Sequence, residues 1–276
     1  MKKIFTIMLI ALTAIFTGCG GGENQPTANS NATKIGMLQQ LNASEQEFNG
    51  FMKDIAETFA LNTNPHEVKF FNNLNTMLMA LESGQIDEIS TYKCVADYLM
   101  TKNPNVEILE GHTLEFIDAF CFAVKADNVE LKNSLDDAIS EMKNDGTLNN
   151  LTKEYVTSSV NPAKVEFEKF DGAETLKVAI TGDLPPLDFV SEDGSAAGFN
   201  TAVLAEIGKR LHRNIEVVQV DSASRSAALT SGQVDVVFWA IVPVSEIIPA
   251  NADKPDGVEL TTPYYRGRIV HIGLKK

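Results

Sequence analysis

The sequence predicts an α/β fold of two similar lobes. Between Leu176 and Trp239, short apolar runs alternate with stretches of helical periodicity, as parallel strands joined by crossover helices do. The first half alternates in the same way from Lys34 to Ser90. A short repeat ties the halves together: Leu81-Glu82-Ser83-Gly84-Gln85-Ile86-Asp87 matches Leu229-Thr230-Ser231-Gly232-Gln233-Val234-Asp235. With 276 residues, 44% of them hydrophobic, the chain can build a core for each lobe.

Residues 1–18 read as a secretion signal: Lys2-Lys3, then an apolar run from Ile4 to Phe16 that is short for a membrane span. Phe16-Thr17-Gly18-Cys19 resembles a bacterial lipobox, which makes Cys19 the expected lipidation site. Residues 19–33 are a polar, glycine-rich tether of flexible type.

In the first half, Lys34 to Leu38 reads as a strand. Ser44 to Leu61 reads as a helix carrying Phe48, Phe51, Ile55 and Phe59 on one face. Val68 to Phe71 is a strand, Leu74 to Glu82 a helix and Ile86 to Ser90 a strand. In the shared repeat, the glycine is placed to end a helix in the left-handed conformation. Val95 to Met100 reads as helical, with strands near Val106 to Leu109 and Phe120 to Lys125. Ser134 to Lys143 and Leu148 to Tyr155 are helices around an Asp145-Gly146-Thr147 turn. Pro162 and Asp171-Gly172 punctuate a linker.

In the second half, Leu176 to Ile180 is a strand stopped at Gly182-Asp183, and Pro185-Pro186 and Glu192-Asp193-Gly194 are turns. Asn200 is placed to cap a helix carrying Val203, Leu204, Ile207 and Leu211. Ile215 to Val220 is a strand, Ser222 to Thr230 a helix and Val234 to Trp239 a strand.

The strand LKVAITGDLPPLDF, the turn EDGSAAGFN, the SGQVDVV step and TTPYYRGRIVHIGL together resemble the first lobe of family 3 bacterial solute-binding proteins. The first half, ending in its x-Asp-Gly-Thr turn and final helix, resembles that family's second lobe and closing helices. The resemblance implies the type II periplasmic binding protein fold, two α/β lobes joined by a hinge, with the lobe order circularly permuted. It implies a second-lobe equivalent at 34–110, a return strand and closing helices at 111–155, a linker at 156–175 and a first-lobe equivalent at 176–276. It also implies a small-molecule ligand held between the lobes, an ABC permease as partner and a monomeric protein at the membrane through its lipid anchor.

Ligands in such folds sit at the carboxyl ends of the strands. There the sequence offers Leu184, Trp239, Ala240, Arg225, Ser44, Tyr92, Lys93 and Asp118 as candidate ligand-binding residues. For Ser44, helix capping and a cleft role both stand; for Trp239, stacking on a flat ligand and packing under the lobe both stand. The family's amino-acid clamp has an aromatic platform, an arginine after the third strand and an aspartate in the second lobe. Here those positions fall on Leu184, on Val244 to Ile247 and on Tyr92 followed by Lys93, so an α-amino acid held by the usual clamp is not expected.

A formal charge of -14 argues against nucleic acid as a partner. No G-x-S-x-G, H-E-x-x-H, P-loop or nucleotide fingerprint occurs, and the four histidines lack ligand-like spacing. No enzyme activity, cofactor or metal is therefore expected, with a dehydratase-like enzyme or a sensing receptor as the other readings. Cys94 and Cys121 are either a disulfide or two buried thiols.

Overall fold

A computed structural model describes residues 32–58, 65–110, 116–157, 164–191, 193–245 and 248–275. The signal, Cys19, the tether up to residue 31 and linker residues 158–163 lie outside the described residues. β1 (Thr33–Leu38) leads into α1 (Glu45–Thr58), β2 (His66–Phe71), α2 (Leu74–Glu82), β3 (Glu88–Tyr92) and α3 (Lys93–Lys102). β4 (Val106–Ile108) and β5 (Ile117–Lys125) precede α4 (Val129–Asn144) and α5 (Thr147–Leu151), which runs into a π-helical turn at Thr152–Thr157. The second half opens with β6 (Thr175–Ile180), then a small sheet of β7 (Asp183–Leu184), β8 (Asp188–Val190) and β9 (Ala196–Ala197). α6 (Phe199–Leu211), β10 (Asn214–Gln219), α7 (Arg225–Thr230), β11 (Val236–Pro243), β12 (Val258–Leu260) and β13 (Tyr265–Leu274) complete it.

The main strands form one path, in the order β10-β6-β11-β5-β13-β3-β1-β2, with β12 on β5 and β4 on β13. β6, β10 and β11 are parallel, as are β1, β2 and β3, so each half is the parallel unit that the alternating pattern predicts. β13 joins the halves. Its residues 265–268 pair with β5 and its residues 269–272 pair with β3, so one strand crosses from one half-sheet to the other.

The shared repeat has the same geometry in both halves. Gly84 and Gly232 have φ of 73° and 78°, the left-handed region that a side chain resists. The aspartate that follows bonds back to the first strand of its own half. Asp87 Oδ2 accepts the Lys34 N–H at 2.8 Å, and Asp235 Oδ2 accepts the Lys177 N–H at 2.9 Å. Both residues also donate their backbone N–H to the carbonyl of the same lysine, at 2.8 and 2.9 Å.

Helices pack on the strands of both halves. α2 packs on β1 and β3, α3 on β13, and α7 on β11. α4 and α5, early in the chain, pack on α6 of the second half. Arg210 of α6 fastens them, pairing with Asp145 at 2.7 Å and Glu141 at 3.4 Å. A single cluster of buried side chains runs through both halves, from Met77, Ile89 and Leu99 to Phe122, Ile139, Val178, Val203 and Phe238.

Two local expectations are revised, and the alternative left open for the cysteines is decided. Asn200 does not cap α6: the helix begins one residue earlier behind Gly198, and the buried Asn200 side chain accepts the Tyr264 O–H at 3.0 Å. The stretch from Ser222 starts as a tight 3-10 turn, fixed by Asp221 accepting the Ser224 N–H, and only then becomes α7. Cys94 and Cys121 are both unbridged. Burial pushes each thiol up to about 12, so both behave as apolar packing groups.

Candidate ligand cleft

Where β13 crosses between the half-sheets, a small cavity of about 30 Å³ opens at the strand ends. Leu38 and Tyr92 line it from the first half, Leu184 and Trp239 from the second, Asp118 from β5 and Ile269 from the crossing strand β13. It has room for about one water-sized group.

Trp239 is turned into this space by its backbone. The pairing of β11 with β5 slips between Val237 and Ala240, a β-bulge, and Trp239 there has a φ of 58°. A bulge re-aims the side chain it carries, and a tryptophan in the left-handed region costs roughly 1–3 kcal/mol that the surroundings must offset. Much of the offset comes from Arg225. Its guanidinium lies 4.5 Å from the centre of the indole ring and donates to the Trp239 carbonyl at 2.8 Å. It also donates to the carbonyls of Ser222 at 3.2 Å and Gln39 at 3.0 Å. Arg225 is 2% exposed, and burial lowers its pKa.

On the other wall, the Tyr92 hydroxyl donates to Asp118 Oδ2 at 3.0 Å. The Tyr92 ring meets Trp239 edge-on, with centroids 6.1 Å apart, and Phe120 at 4.7 Å. This packing needs Gly267 on β13, because a Cβ there would lie 2.7 Å from Tyr92 Cδ1. Burial pushes the Asp118 carboxyl up to about 6, against the Tyr92 bond that favours its ionised form. Among the described residues the Trp239 indole N–H has no acceptor in hydrogen-bonding geometry, although it is close enough to the Tyr92 hydroxyl to favour that phenol's ionised form.

Around the cavity the halves bond directly to each other. Asp183 Oδ2 accepts the Leu74 N–H at the start of α2 at 2.6 Å, where a helix N-terminus favours an anion. Asp253 Oδ1 accepts the Asn42 N–H at 2.8 Å, and the Asn72 carbonyl accepts the Ser222 N–H at 3.1 Å. With Arg225 on Gln39, four bonds cross the mouth.

Of the candidate residues, Leu184, Trp239, Tyr92 and Asp118 meet at the cavity, with Arg225 stacked behind Trp239. The other three lie elsewhere. Ser44 is exposed and forms a reciprocal cap with Glu47 at the start of α1. Lys93 pairs with Asp97 at 2.7 Å on the exposed face of α3. Ala240 is buried in β11 opposite Cys121. Asp253 escaped the sequence reading and Asp183 entered it only as the stop of a strand, since each looks like a loop aspartate until the partner N–H is in place. Gly182-Asp183 beside the two prolines was the available signal for Asp183; none marked Asp253.

Residues 176–270 match the model of the bacterial extracellular solute-binding proteins, family 3. A probable histidine-binding protein of Campylobacter jejuni is 29% identical over 101 residues, which is 37% of this chain and 36% of that protein. The match thus spans about a third of that relative's length. Among solved structures, a ligand-binding component of an ABC-type import system from Staphylococcus aureus, with zinc bound, is 15% identical. It aligns over 88% of this chain and 66% of its own, with a TM-score of 0.43. The aliphatic sulphonate binding protein SsuA of Escherichia coli is 13% identical over 88% of this chain and 65% of its own, with a TM-score of 0.40. Residues 176–270 are thus similar to the bacterial extracellular solute-binding proteins of family 3.

Proposed function

We propose that this chain is an extracytoplasmic solute-binding protein that holds a small molecule between two α/β lobes and delivers it to an ABC-type importer. The observation that carries this is the cavity under β13: its walls come from both halves of the chain, at the strand ends where such folds bind ligands. The four bonds across the mouth are weak enough individually to break and reform, as closure by hinge motion requires. Anchoring is through Cys19, and the tether holds the folded part off the membrane.

The same reading includes a circular permutation. On this reading residues 176–270 are the family's first lobe and α4 and α5 its closing helices; the contact of α4 and α5 with α6, although they come earlier in the chain, supports it. The second-lobe equivalent also precedes the match. The relative's name points to an amino acid, but here no arginine follows β11 at 244–247 and Tyr92 stands at the aspartate position. A different ligand is therefore proposed, with Trp239 in contact.

Native mass spectrometry of the protein purified under non-denaturing conditions tests the core claim. A small molecule of fixed mass, lost when Trp239 is replaced by Ala, is expected. A protein that is empty after purification, and remains so against a metabolite panel, would sink the reading.

A further inference from the structure

We infer that the outer edge of β10 is a dimer contact, on which a second copy of this chain adds its own β10, antiparallel, about a twofold axis at Val217. This departs from the monomer that the family resemblance implies, and the proposed ligand role does not depend on it.

Two strands end the main sheet, β2 and β10. An edge strand presents unpaired N–H and C=O groups that invite another strand, and most proteins block them. The β2 edge is blocked by α1. Asn49 lies against it as a neighbouring strand would: its Oδ1 accepts the Val68 N–H at 2.7 Å, and its Nδ2 donates to the Val68 carbonyl at 2.8 Å. Beside it, Glu45 accepts the Phe70 N–H at 2.8 Å.

The β10 edge is open. Its ladder to β6 runs from the Asn214 N–H on the Glu174 carbonyl, at 2.9 Å, to the Val220 N–H on the Ile180 carbonyl, at 2.8 Å. Every second residue of a parallel strand faces its neighbour, so Asn214, Glu216, Val218 and Val220 face β6. Ile215, Val217 and Gln219 turn their backbone groups outward, and among the described residues nothing bonds to these groups. The strand is rich in β-branched residues and holds neither proline nor lysine, the usual guards of an edge. Apolar surface lies alongside: Val217 and Gln219 share a groove of about 260 Å³ with Phe167 and Val190.

The order of residues makes this edge complementary to itself. With Val217 opposite Val217, outward residues meet outward residues. The two Val217 exchange backbone bonds, and Ile215 exchanges them with Gln219. Just beyond, Arg213 of each copy meets Asp221 of the other. Arg213 is partly exposed and pairs with Glu174 at 3.1 Å, while Asp221 is exposed, with Oδ1 accepting the Ser224 N–H at 2.8 Å. Opposite charges facing across two strands attract, and Glu216 meets Val218. Moving the axis to Glu216 would set two like charges against each other, so the Val217 register is favoured. A twofold contact of this kind uses one patch on both copies, the commonest way that a chain pairs with itself.

Cross-linking of the purified full chain tests this. Val217→Cys sets each introduced thiol opposite its equivalent, with Cα atoms about 5.5 Å apart, inside the range that a disulfide spans. Mild oxidation should give a dimer on a non-reducing gel well above that of the native chain. Adding Arg213→Asp or Asp221→Arg should cut the cross-link about tenfold, and adding both should restore it. In sedimentation the native chain should reach dimer mass as its concentration rises. Val217→Pro should stay monomeric with native circular dichroism, because the ladder to β6 does not use that N–H. If Val217→Pro unfolds, the cross-link and its charge rescue decide. A native chain that is monomeric throughout overturns the inference. So does a dimer that forms without the Val217→Cys cross-link, or one indifferent to the charge reversals. An edge that takes a different protein in place of a second copy overturns it as well. Each of these results leaves the search for a bound small molecule by native mass spectrometry to stand or fall on its own.

Discussion

The Arg225 guanidinium lies over the Trp239 ring, 4.5 Å from its centre, and donates to that residue's own carbonyl at 2.8 Å. One side chain thus holds both the ring and the backbone of a residue in an unfavourable conformation. It also satisfies two further buried carbonyls, one of them across the mouth of the cleft. Replacing Arg225 with Ala should cost about 3–5 kcal/mol in urea unfolding, since buried acceptors and buried acids lose their donor. Arg225→Lys should recover only part, because an ammonium cannot cover the ring while reaching three separated carbonyls. A loss below about 1 kcal/mol for the alanine variant would mean that the interaction is dispensable.

Trp239 sits at a φ of 58° within the bulge, so its replacements should rank by backbone preference as well as by size. Both Trp239→Ala and Trp239→Gly lose the ring. Only glycine is at ease in the left-handed region, where an L side chain costs roughly 1–2 kcal/mol. The glycine variant should therefore be the more stable of the two by about 1 kcal/mol in paired urea melts. Alanine as the more stable variant would rule out this backbone conformation.

Asp118 and Asp188 are both pushed by burial from near 3.8 up to about 6. The folded protein therefore holds these two protons more tightly than the unfolded chain. Between pH 4 and 6 it binds more protons than the unfolded chain, so this contribution to stability falls as pH rises through the window. Each group supplies up to roughly 3 kcal/mol near pH 4 that is gone above pH 6. His66, lowered mainly by burial, acts in the opposite direction as pH drops below its ordinary value. The difference between native and Asp118→Asn chains isolates one acid: the native advantage should shrink as pH is raised from 4.5 to 7 in thermal melts. A gap that is constant with pH would contradict the burial of that carboxyl.

What the sequence made legible was the part of the fold repeated within it. The two SGQ repeats, with their glycine and aspartate, predict a helix end and a strand start, and both halves show this geometry at Gly84 and Gly232. Local chemistry carries that signal, so no distant partner had to be known. The cleft was half legible. Leu184, Tyr92, Trp239 and Asp118 sit at strand ends, which the alternation locates, and they meet at the cavity. Ser44, Lys93 and Ala240 are also near strand ends, but their direction depends on helix phase and pleat, and each turns elsewhere. The bonds of Asp183 and Asp253 were invisible because their partners are backbone N–H groups 109 and 211 residues away. Asp87→Ala and Asp235→Ala should each cost about 1 kcal/mol, by similar amounts, since each removes the same bond to the first strand. Unequal losses of more than about twofold would show that the repeats are not equivalent.

The proposed permutation can be tested by undoing it. Ile272 of β13 pairs with Ile89 of β3, and Ile89 pairs with Gly36 of β1, so the three residues lie at one level of the sheet. β13 runs antiparallel to the other two, which brings its end at Leu274 down to the level where β1 begins. Two strand spacings of about 4.8 Å separate them, so the gap from Leu274 to Thr33 is near 10 Å. About six glycine and serine residues, able to span up to ~20 Å, would close it without strain. A rearranged chain of residues 164–275, this linker and residues 32–157 would place the family-matched half first and α4 and α5 last. All strand pairings and the contact of α4 and α5 with α6 could then form unchanged. The rearranged protein should fold with the same circular dichroism and unfold within about 2 kcal/mol of the original, since only loop closure differs. An insoluble or molten product would mean that the native order is required by the fold, and that the two halves are not a reordered solute-binding pair.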